Sequence, residues 1–160
     1  MIKIKKLQIN NITNCLELIC SEYKDSLYFK NLGWSENQLV SQFKKKVNYS
    51  FGSYYNKKLV GFLIGDLIFI EKVSEYEILF IYVKKIYRRK GVGNHLINNI
   101  LAQRDTSKLK KIFLEVSEDN MPAIELYKKN NFKLINIRKN YYSNENKNFN
   151  ALCFSKVVST

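Results

Sequence analysis

Glu77-Ile78-Leu79-Phe80-Ile81-Tyr82-Val83-Lys84-Lys85-Ile86-Tyr87-Arg88-Arg89-Lys90-Gly91-Val92-Gly93-Asn94 is the stretch whose reading decides the fold. Its first part, Glu77 to Val83, is apolar and rich enough in β-branched and aromatic residues for a buried strand. Behind Gly91, the residues Val92, Leu96, Ile97, Ile100 and Leu101 form the stripe of an amphipathic helix reaching to about Arg104. A strand therefore runs into a helix through a basic, glycine-containing turn. The leading N–H groups of a helix have no partner within it and lie at the positive end of its dipole, and glycines let a ligand approach the main chain. With Arg88, Arg89 and Lys90 alongside, the turn is a candidate pyrophosphate cradle.

Two better-known phosphate loops do not fit. A dinucleotide fingerprint requires G-x-G-x-x-G, but Leu96 stands at the third glycine position; a P-loop requires G-K-[ST], which the stretch lacks. What remains is R-x-x-G-x-G, Arg88 to Gly93.

The other elements follow from pattern. Ile2, Ile4 and Leu7 alternate with lysines as a first strand, and Ile12 to Tyr23 reads as a helix with Leu16, Ile19 and Tyr23 on one side and Asn11 as its cap. Ser35 caps a short second helix that carries Leu39, Val40 and Phe43 inward. Tyr49 to Tyr55 and Leu59 to Ile70 flank the turn Asn56-Lys57-Lys58 as a hairpin. Lys111 to Val116 is a short buried strand, after which Asp119 or Asn120 caps a helix with Pro122 in its first turn. Asn131 suits a left-handed helix end, Phe132 to Ile137 is extended, Tyr141 to Asn148 reads as a polar loop, and Ala151 to Val158 is a last strand. Strand, helix, hairpin, then strand-helix-strand-helix-strand predicts an α/β fold with a mixed sheet.

At 160 residues and 46% hydrophobic content the chain is expected to be a single domain spanning 1–160. Cys15, Cys20 and Cys153 are an odd set without C-x-x-C spacing, which argues against a disulfide framework or a zinc site and for reduced thiols in the cytoplasm. Residues 1–6, M-I-K-I-K-K, lack the apolar core of a signal peptide, and the apolar run from Leu59 to Ile70 is broken by Gly61, Gly65 and Asp66, so no membrane segment is expected. A net charge of +13 favours polyanionic partners in principle. The lysines are nevertheless scattered, with no like-charge block longer than Lys44-Lys45-Lys46, and no dedicated nucleic-acid face is expected.

Motif and flanks together resemble the acetyl-coenzyme A loop of the GCN5-related N-acetyltransferases (GNAT), in which turn amides hold the cofactor's pyrophosphate. From Leu114 the chain reads L-E-V-S-E-D-N-M-P-A-I-E-L-Y-K-K-N-N-F, then I-R-K-N-Y-Y. This is similar to the RimI-type ribosomal-protein alanine N-acetyltransferases, with L-E-V-R-x-S-N-x-x-A-I-x-L-Y-x-x-x-G-F and x-R-x-x-Y-Y. The resemblance covers Glu77 to about Phe154, roughly half the chain; before that it rests on Trp34-Ser35-Glu36. It implies a GNAT fold, a mixed but mostly antiparallel twisted sheet with helices on both faces. It also implies acetyl-coenzyme A as co-substrate and no metal.

Carried over by position, Ile81, Tyr82 and Val83 meet the pantetheine arm, and Arg88, Arg89, Lys90, Gly91, Val92, Gly93 and Asn94 meet the pyrophosphate. Asn120 takes the cofactor-contacting asparagine, Glu115 the general base and Tyr127 the general acid. Trp34, Tyr141 and Tyr142 are candidate substrate-binding residues, with packing as the alternative role for each. Departures are Ser117 for an arginine, Asn131 for a glycine, Lys85 for a proline and Asn150 for an aspartate; Ser117 and Asn150 bear on acceptor choice.

The chemistry suits these residue types. Only a neutral amine attacks a thioester, and at pH 7 roughly a tenth of an α-amine is neutral, far less of a lysine. A carboxylate at the end of a buried strand can remove the proton, and a tyrosine still protonated at pH 7 can protonate the departing thiolate. Glu77 is the reserve base; His95, the single histidine, is read as a surface or packing residue, and Cys153 lacks a histidine partner for nucleophilic work. The expected reaction is acetylation of a protein N-terminal α-amine, foremost the alanine of the eighteenth small-subunit ribosomal protein. The alternatives are a polyamine, small-amine or lysine acetyltransferase and, from another class, an inactive GNAT-fold RNA- or ribosome-binding module.

Overall fold

The computed structural model describes residues 1–106, 108–144 and 147–158, the side chains of Arg104 and Asn144 excepted. In chain order the elements are β1 (Ile2–Lys6), α1 (Ile12–Cys20), α2 (Tyr23–Asn31), α3 (Glu36–Lys44), β2 (Phe51–Tyr55), β3 (Lys58–Ile70), β4 (Val73–Val83), α4 (Val92–Leu101), β5 (Leu109–Ser117), α5 (Met121–Lys129), β6 (Lys133–Asn144) and β7 (Lys147–Val157). The strands form one seven-stranded sheet in the order β1-β2-β3-β4-β5-β7-β6. Among the described residues only β4 and β5 pair in parallel, because α4 carries the chain back between them; the other pairings are antiparallel.

Helices cover both faces. Leu96, Ile97 and Ile100 of α4, fully buried, pack with Ile124 and Tyr127 of α5 on one face, while α1, α2 and α3 bury Ile19, Phe29 and Leu39 on the other. Burying each such aliphatic side chain contributes about 1.5–3 kcal/mol, so the α4 stripe is a major part of what holds the turn before it.

Local chemistry accounts for most element ends. Ser35 Oγ accepts the Gln38 N–H at 3.2 Å, and Asn120 Oδ1 accepts the Ala123 N–H at 3.3 Å, capping α3 and α5. The β2–β3 hairpin closes through left-handed Asn56 (φ 47°) and Lys57 (φ 64°), with Tyr55 opposite Lys58, a turn whose twist matches that of the strands. Asn131 is left-handed at φ 64°, as its position after α5 predicts.

Three sequence expectations are corrected. The first helix stops at Cys20 rather than Tyr23, and a further helix, α2, follows; Tyr23 opens it and is 81% exposed instead of packed beside Ile19. The segment read as a polar loop from Tyr141 is strand as far as Asn144, since β6 pairs with β7 through Tyr142↔Phe149 and Ser143↔Asn148; residues 145 and 146 of that expectation lie outside the described residues. Cross-strand pairing outweighs the polar composition there. The helix after Gly91 ends at Leu101, and a short 3-10 turn, Arg104–Thr106, precedes β5.

One irregularity positions the site. Tyr76 and Ile78 face α4 and α5, yet Phe80 and Tyr82 face the opposite helices although the spacing in β4 is still two. The β3–β4 register slips between Ile64 and Gly65, so that Ile64 opposes Phe80 while Gly65 opposes Ile78, and Leu79 is the extra residue of a bulge. A bulge bends its strand. Pairing of β4 with β5 ends at that point, at Ile78↔Leu114, while β4 runs on to Val83 and β5 to Ser117. The two parallel strands diverge, and the backbone of Leu79 to Val83 is left without a β5 partner on that side.

Candidate active site

Two cavities meet where the strands diverge. The larger, about 840 Å³, lies between the end of β4, the turn Tyr87–Gly91 and the first turns of α4 and α5. Of the cofactor-site expectations, Ile81, Tyr82, Val83, Arg88, Arg89, Gly91, Val92, Gly93, Asn94 and Asn120 line it. Lys90 does not; its ammonium lies 5.8 Å from the centroid of the Tyr87 ring.

The turn has the chemistry of an anion cradle. Gly91 is left-handed at φ 81° and leads directly into helical Val92, an alternation that gathers successive N–H groups on one concave side. Among the described residues no side chain caps α4, so its first amides, on residues that line the cavity, remain available. A β-carbon on Gly91, which is one of the residues lining the cavity, would meet nothing of the protein within 4 Å, so that side of the turn is open. Gly93 is glycine for another reason: its β-carbon would come 2.9 Å from Leu126 Cδ2, so it is a close contact of α4 with α5. Arg89 is also left-handed (φ 61°), and its side chain pairs with Glu125 at 3.0 Å.

Arg88 is more structural than its place in the motif suggests. Its Nε donates to the Val83 carbonyl at 2.8 Å and its Nη2 pairs with Asp25 of α2, to which the Tyr82 hydroxyl also donates at 2.9 Å. Arg88 thereby ties the end of β4 to α2. Asn120 is similarly committed, its Oδ1 to the cap of α5 and its Nδ2 to the Tyr28 hydroxyl at 3.0 Å.

The smaller cavity, about 400 Å³, lies beyond the divergence and brings together Glu115, Tyr127, Trp34, Tyr141 and Tyr142, the other expected site residues. Glu77 lines it too, so it holds two carboxylates and no lysine or arginine among its lining residues. Its lining thus offers an amine carboxylates and no lysine or arginine, with Glu115 ion-paired to Arg138 from outside that lining. Trp34 lines the cavity and also packs, stacked on Phe29 with ring centroids 6.0 Å apart. Tyr141 and Tyr142 meet edge to face at 5.1 Å from β6.

Glu115 sits on β5 opposite Cys153 of β7. Arg138 Nη1 donates to both its carboxylate oxygens, at 2.8 and 3.1 Å, and the Arg138 guanidinium lies 3.6 Å over the Tyr141 ring. The Cys153 thiol contacts the same carboxylate at 3.6 Å. Glu77 is half-buried, and burial, helped by the nearby Asp66 and Glu115 and opposed by Lys45, raises its carboxyl above the usual range. Tyr127 is 4% exposed and packs on Phe132 and Phe154; burial pushes its phenol well above the ordinary tyrosine value, so it keeps its proton at neutral pH.

Arg138, Tyr28 and Asp25 were not among the residues singled out from sequence. Arg138 belongs to the I-R-K-N-Y-Y run, a signal that was present; Asp25 and Tyr28 lie in the helix that apolar periodicity did not reveal. His95 is exposed, as expected, and among the described residues no group of three or more His, Cys, Asp or Glu is arranged to hold a metal ion. No helix among them is long and apolar enough to cross a membrane.

Comparison with known proteins agrees with this geometry. An N-alpha-acetyltransferase of Sulfolobus acidocaldarius is 32% identical over 123 residues, covering 76% of this chain and 64% of that protein, so the chain spans just under two thirds of the archaeal relative. The ribosomal protein bS18-alanine N-acetyltransferase of Escherichia coli is 27% identical over 127 residues, 79% of this chain and 82% of that protein. Among solved structures, the ribosomal-protein-S18-alanine N-acetyltransferase from Escherichia coli superposes with a TM-score of 0.83 at 22% identity, over 100% of this chain and 96% of that one. Arabidopsis thaliana NAA60 in complex with acetyl-CoA gives 0.79 at 15% identity, over 99% of each chain. At those identities the two structures speak for the fold. Residues 13–132 match the model of the acetyltransferase (GNAT) family, and the chain belongs to that enzyme family.

Proposed function

We propose that residues 1–160 form one N-acetyltransferase domain that transfers the acetyl group of acetyl-coenzyme A to a protein N-terminal α-amine, the N-terminal alanine of ribosomal protein bS18 being the first acceptor to test. One observation carries this reading. The divergence of β4 from β5 past Ile78 and Leu114 joins a groove headed by uncapped helix amides to an acidic cavity holding Glu115, Glu77 and Tyr127. A groove for a phosphate-bearing thioester and a pocket for an amine are what the reaction requires.

The groove residues fit the co-substrate. The first amides of α4, with Arg89 and the free face of Gly91, suit its pyrophosphate, and the unpaired edge of β4 from Leu79 to Val83 suits the amides of its pantetheine arm. When bound, acetyl-coenzyme A supplies an activated acetyl thioester.

The chain's own residues do the rest. The carboxylates of the acidic cavity draw in the ammonium form of the acceptor, and Glu115, its orientation held by Arg138, removes the amine proton directly or through water. Tyr127 holds a proton on its phenol to deliver to the sulfur that leaves. Trp34, Tyr141 and Tyr142 wall the acceptor cavity. The relatives named for N-α-acetylation support the α-amine as acceptor.

The test is acetyl transfer to an N-terminal bS18 peptide, to the same peptide with a blocked N-terminus and an added lysine, and to a polyamine. Product on the first alone is expected. Preferential acetylation of the lysine or polyamine would overturn the acceptor assignment.

A further inference from the structure

Five residues line both cavities: Tyr28, Phe80, Ile81, Asn120 and Ala123. The neck between them is therefore apolar except for one phenol and one carboxamide, and these two are bonded to each other. Asn120 Nδ2 donates to the Tyr28 hydroxyl at 3.0 Å, across 92 positions of sequence, while Asn120 Oδ1 is occupied by the Ala123 N–H. The direction of that bond has a consequence. Tyr28 oxygen is an acceptor in it, so its own O–H proton is left over, and no acceptor for it exists among the described residues.

An acetyl group held on the groove side and attacked from the acidic side has to lie in this neck. We infer that the Tyr28 O–H, oriented by Asn120, donates a hydrogen bond to the carbonyl oxygen of the bound acetyl group, holding it for attack and stabilising the negative charge that grows on that oxygen. Tyr28 then acts at the reacting atoms, separately from Tyr127, which lines only the acceptor cavity. Accepting a hydrogen bond from Asn120 strengthens a phenol as a donor. Burial, the largest influence on Tyr28, raises its phenol above the ordinary value, and so keeps the proton in place at working pH. The inference rests on acetyl-coenzyme A being the co-substrate.

Coenzyme A and acetyl-coenzyme A distinguish this role from its rivals, because only the second has the carbonyl. Their affinities for the full-length protein are measured by calorimetry in the parent, in Tyr28→Phe, which keeps the ring, and in Asn120→Asp, which keeps an acceptor to cap α5 but replaces the donor toward Tyr28 with an acceptor for its proton. In Tyr28→Phe acetyl-coenzyme A is expected to weaken about five-fold, the worth of one neutral hydrogen bond, with coenzyme A unchanged; in Asn120→Asp, whose residue also lines the groove, acetyl-coenzyme A is expected to weaken about five-fold more than coenzyme A does. Turnover is expected to fall about 10²-fold, as on removal of a donor to a developing oxyanion. Equal weakening of both ligands would assign Tyr28 to the sulfur or to packing and overturn the inference, as would unchanged affinities and turnover. Failure of the parent to bind either ligand would instead overturn the co-substrate reading on which the inference depends.

Discussion

Gly91→Val is the sharpest test of the cradle. The substitution acts in two separable ways. First, φ at position 91 is 81°, and a β-branched residue in that conformation is strained by roughly 1–2 kcal/mol or more; nothing of the protein lies within 4 Å of the new β-carbon, so no further clash adds to this cost. For a domain of this size each kcal/mol corresponds to about 2–4 °C, so the free variant should melt roughly 2–8 °C below the parent. Second, Gly91 lines the groove where the pyrophosphate is proposed to sit, so the valine side chain should obstruct its approach to the turn amides. At a hundred-fold excess over Kd, acetyl-coenzyme A should stabilise the parent by about 2.7 kcal/mol, or roughly 5–10 °C. The variant should lose that increment. Differential scanning fluorimetry with and without acetyl-coenzyme A reads both effects in one experiment. A variant that melts lower when free but gains the full increment with acetyl-coenzyme A would refute the cradle, because the strain would be present and the obstruction absent. Gly93→Val is the companion: its β-carbon meets Leu126 rather than open groove, so its loss in the free protein should come from displaced packing of α5.

Glu115→Gln should lower turnover about 10²- to 10⁴-fold, with partial recovery as rising pH supplies neutral amine, whereas Tyr127→Phe should lose activity without such recovery; a Glu115→Gln enzyme with parental pH–rate behaviour would transfer the base role to Glu77. Glu77 itself gives a stability prediction. Its carboxyl is raised in the folded protein, so between the unfolded and folded values the native state binds more protons, and stability falls as pH rises through that window. Glu77→Gln should therefore be more stable than the parent at neutral pH, with a difference that shrinks on acidification in urea melts; an equal difference at all pH values would remove the titration argument. In the β2–β3 turn, Lys57→Gly should stabilise by about 0.5–1 kcal/mol, since Lys57 sits at φ 64° where glycine is unstrained; no gain in urea midpoint would show the strain is relieved elsewhere.

Much of the architecture was legible because its signals are local. The cap at Ser35, the cap at Asn120 and the left-handed Asn131 each depend on residues within three or four positions, and each is found where the pattern puts it. The expected site residues except Lys90 also line the two cavities, because they lie on the ends of elements whose type could be read. Where reading failed, the cause was an element whose inward face is not apolar. In α2 the residues that turn inward are Asp25, Tyr28 and Phe29, at helical spacing, but two of them are polar and serve Arg88, Tyr82 and Asn120. The loop expectation at Tyr141 failed for a related reason, since its partner strand is known only once the sheet order places β7 beside β6.

By itself, then, the chain's order of residues determined the strand–turn–helix that begins at Glu77, the strand that carries Glu115 and the helix that carries Tyr127, because spacing along a single element decides which face a side chain occupies. Tertiary structure decided what those parts are next to. The bulge at Leu79 arises from pairing with β3 and opens the wedge; Arg138 reaches Glu115 from β6 with β7 between them; Tyr28 meets Asn120 only because α2 lies over the neck. Such contacts join residues far apart in the chain, and a side chain that satisfies a distant hydrogen bond leaves no periodic trace in the sequence around it.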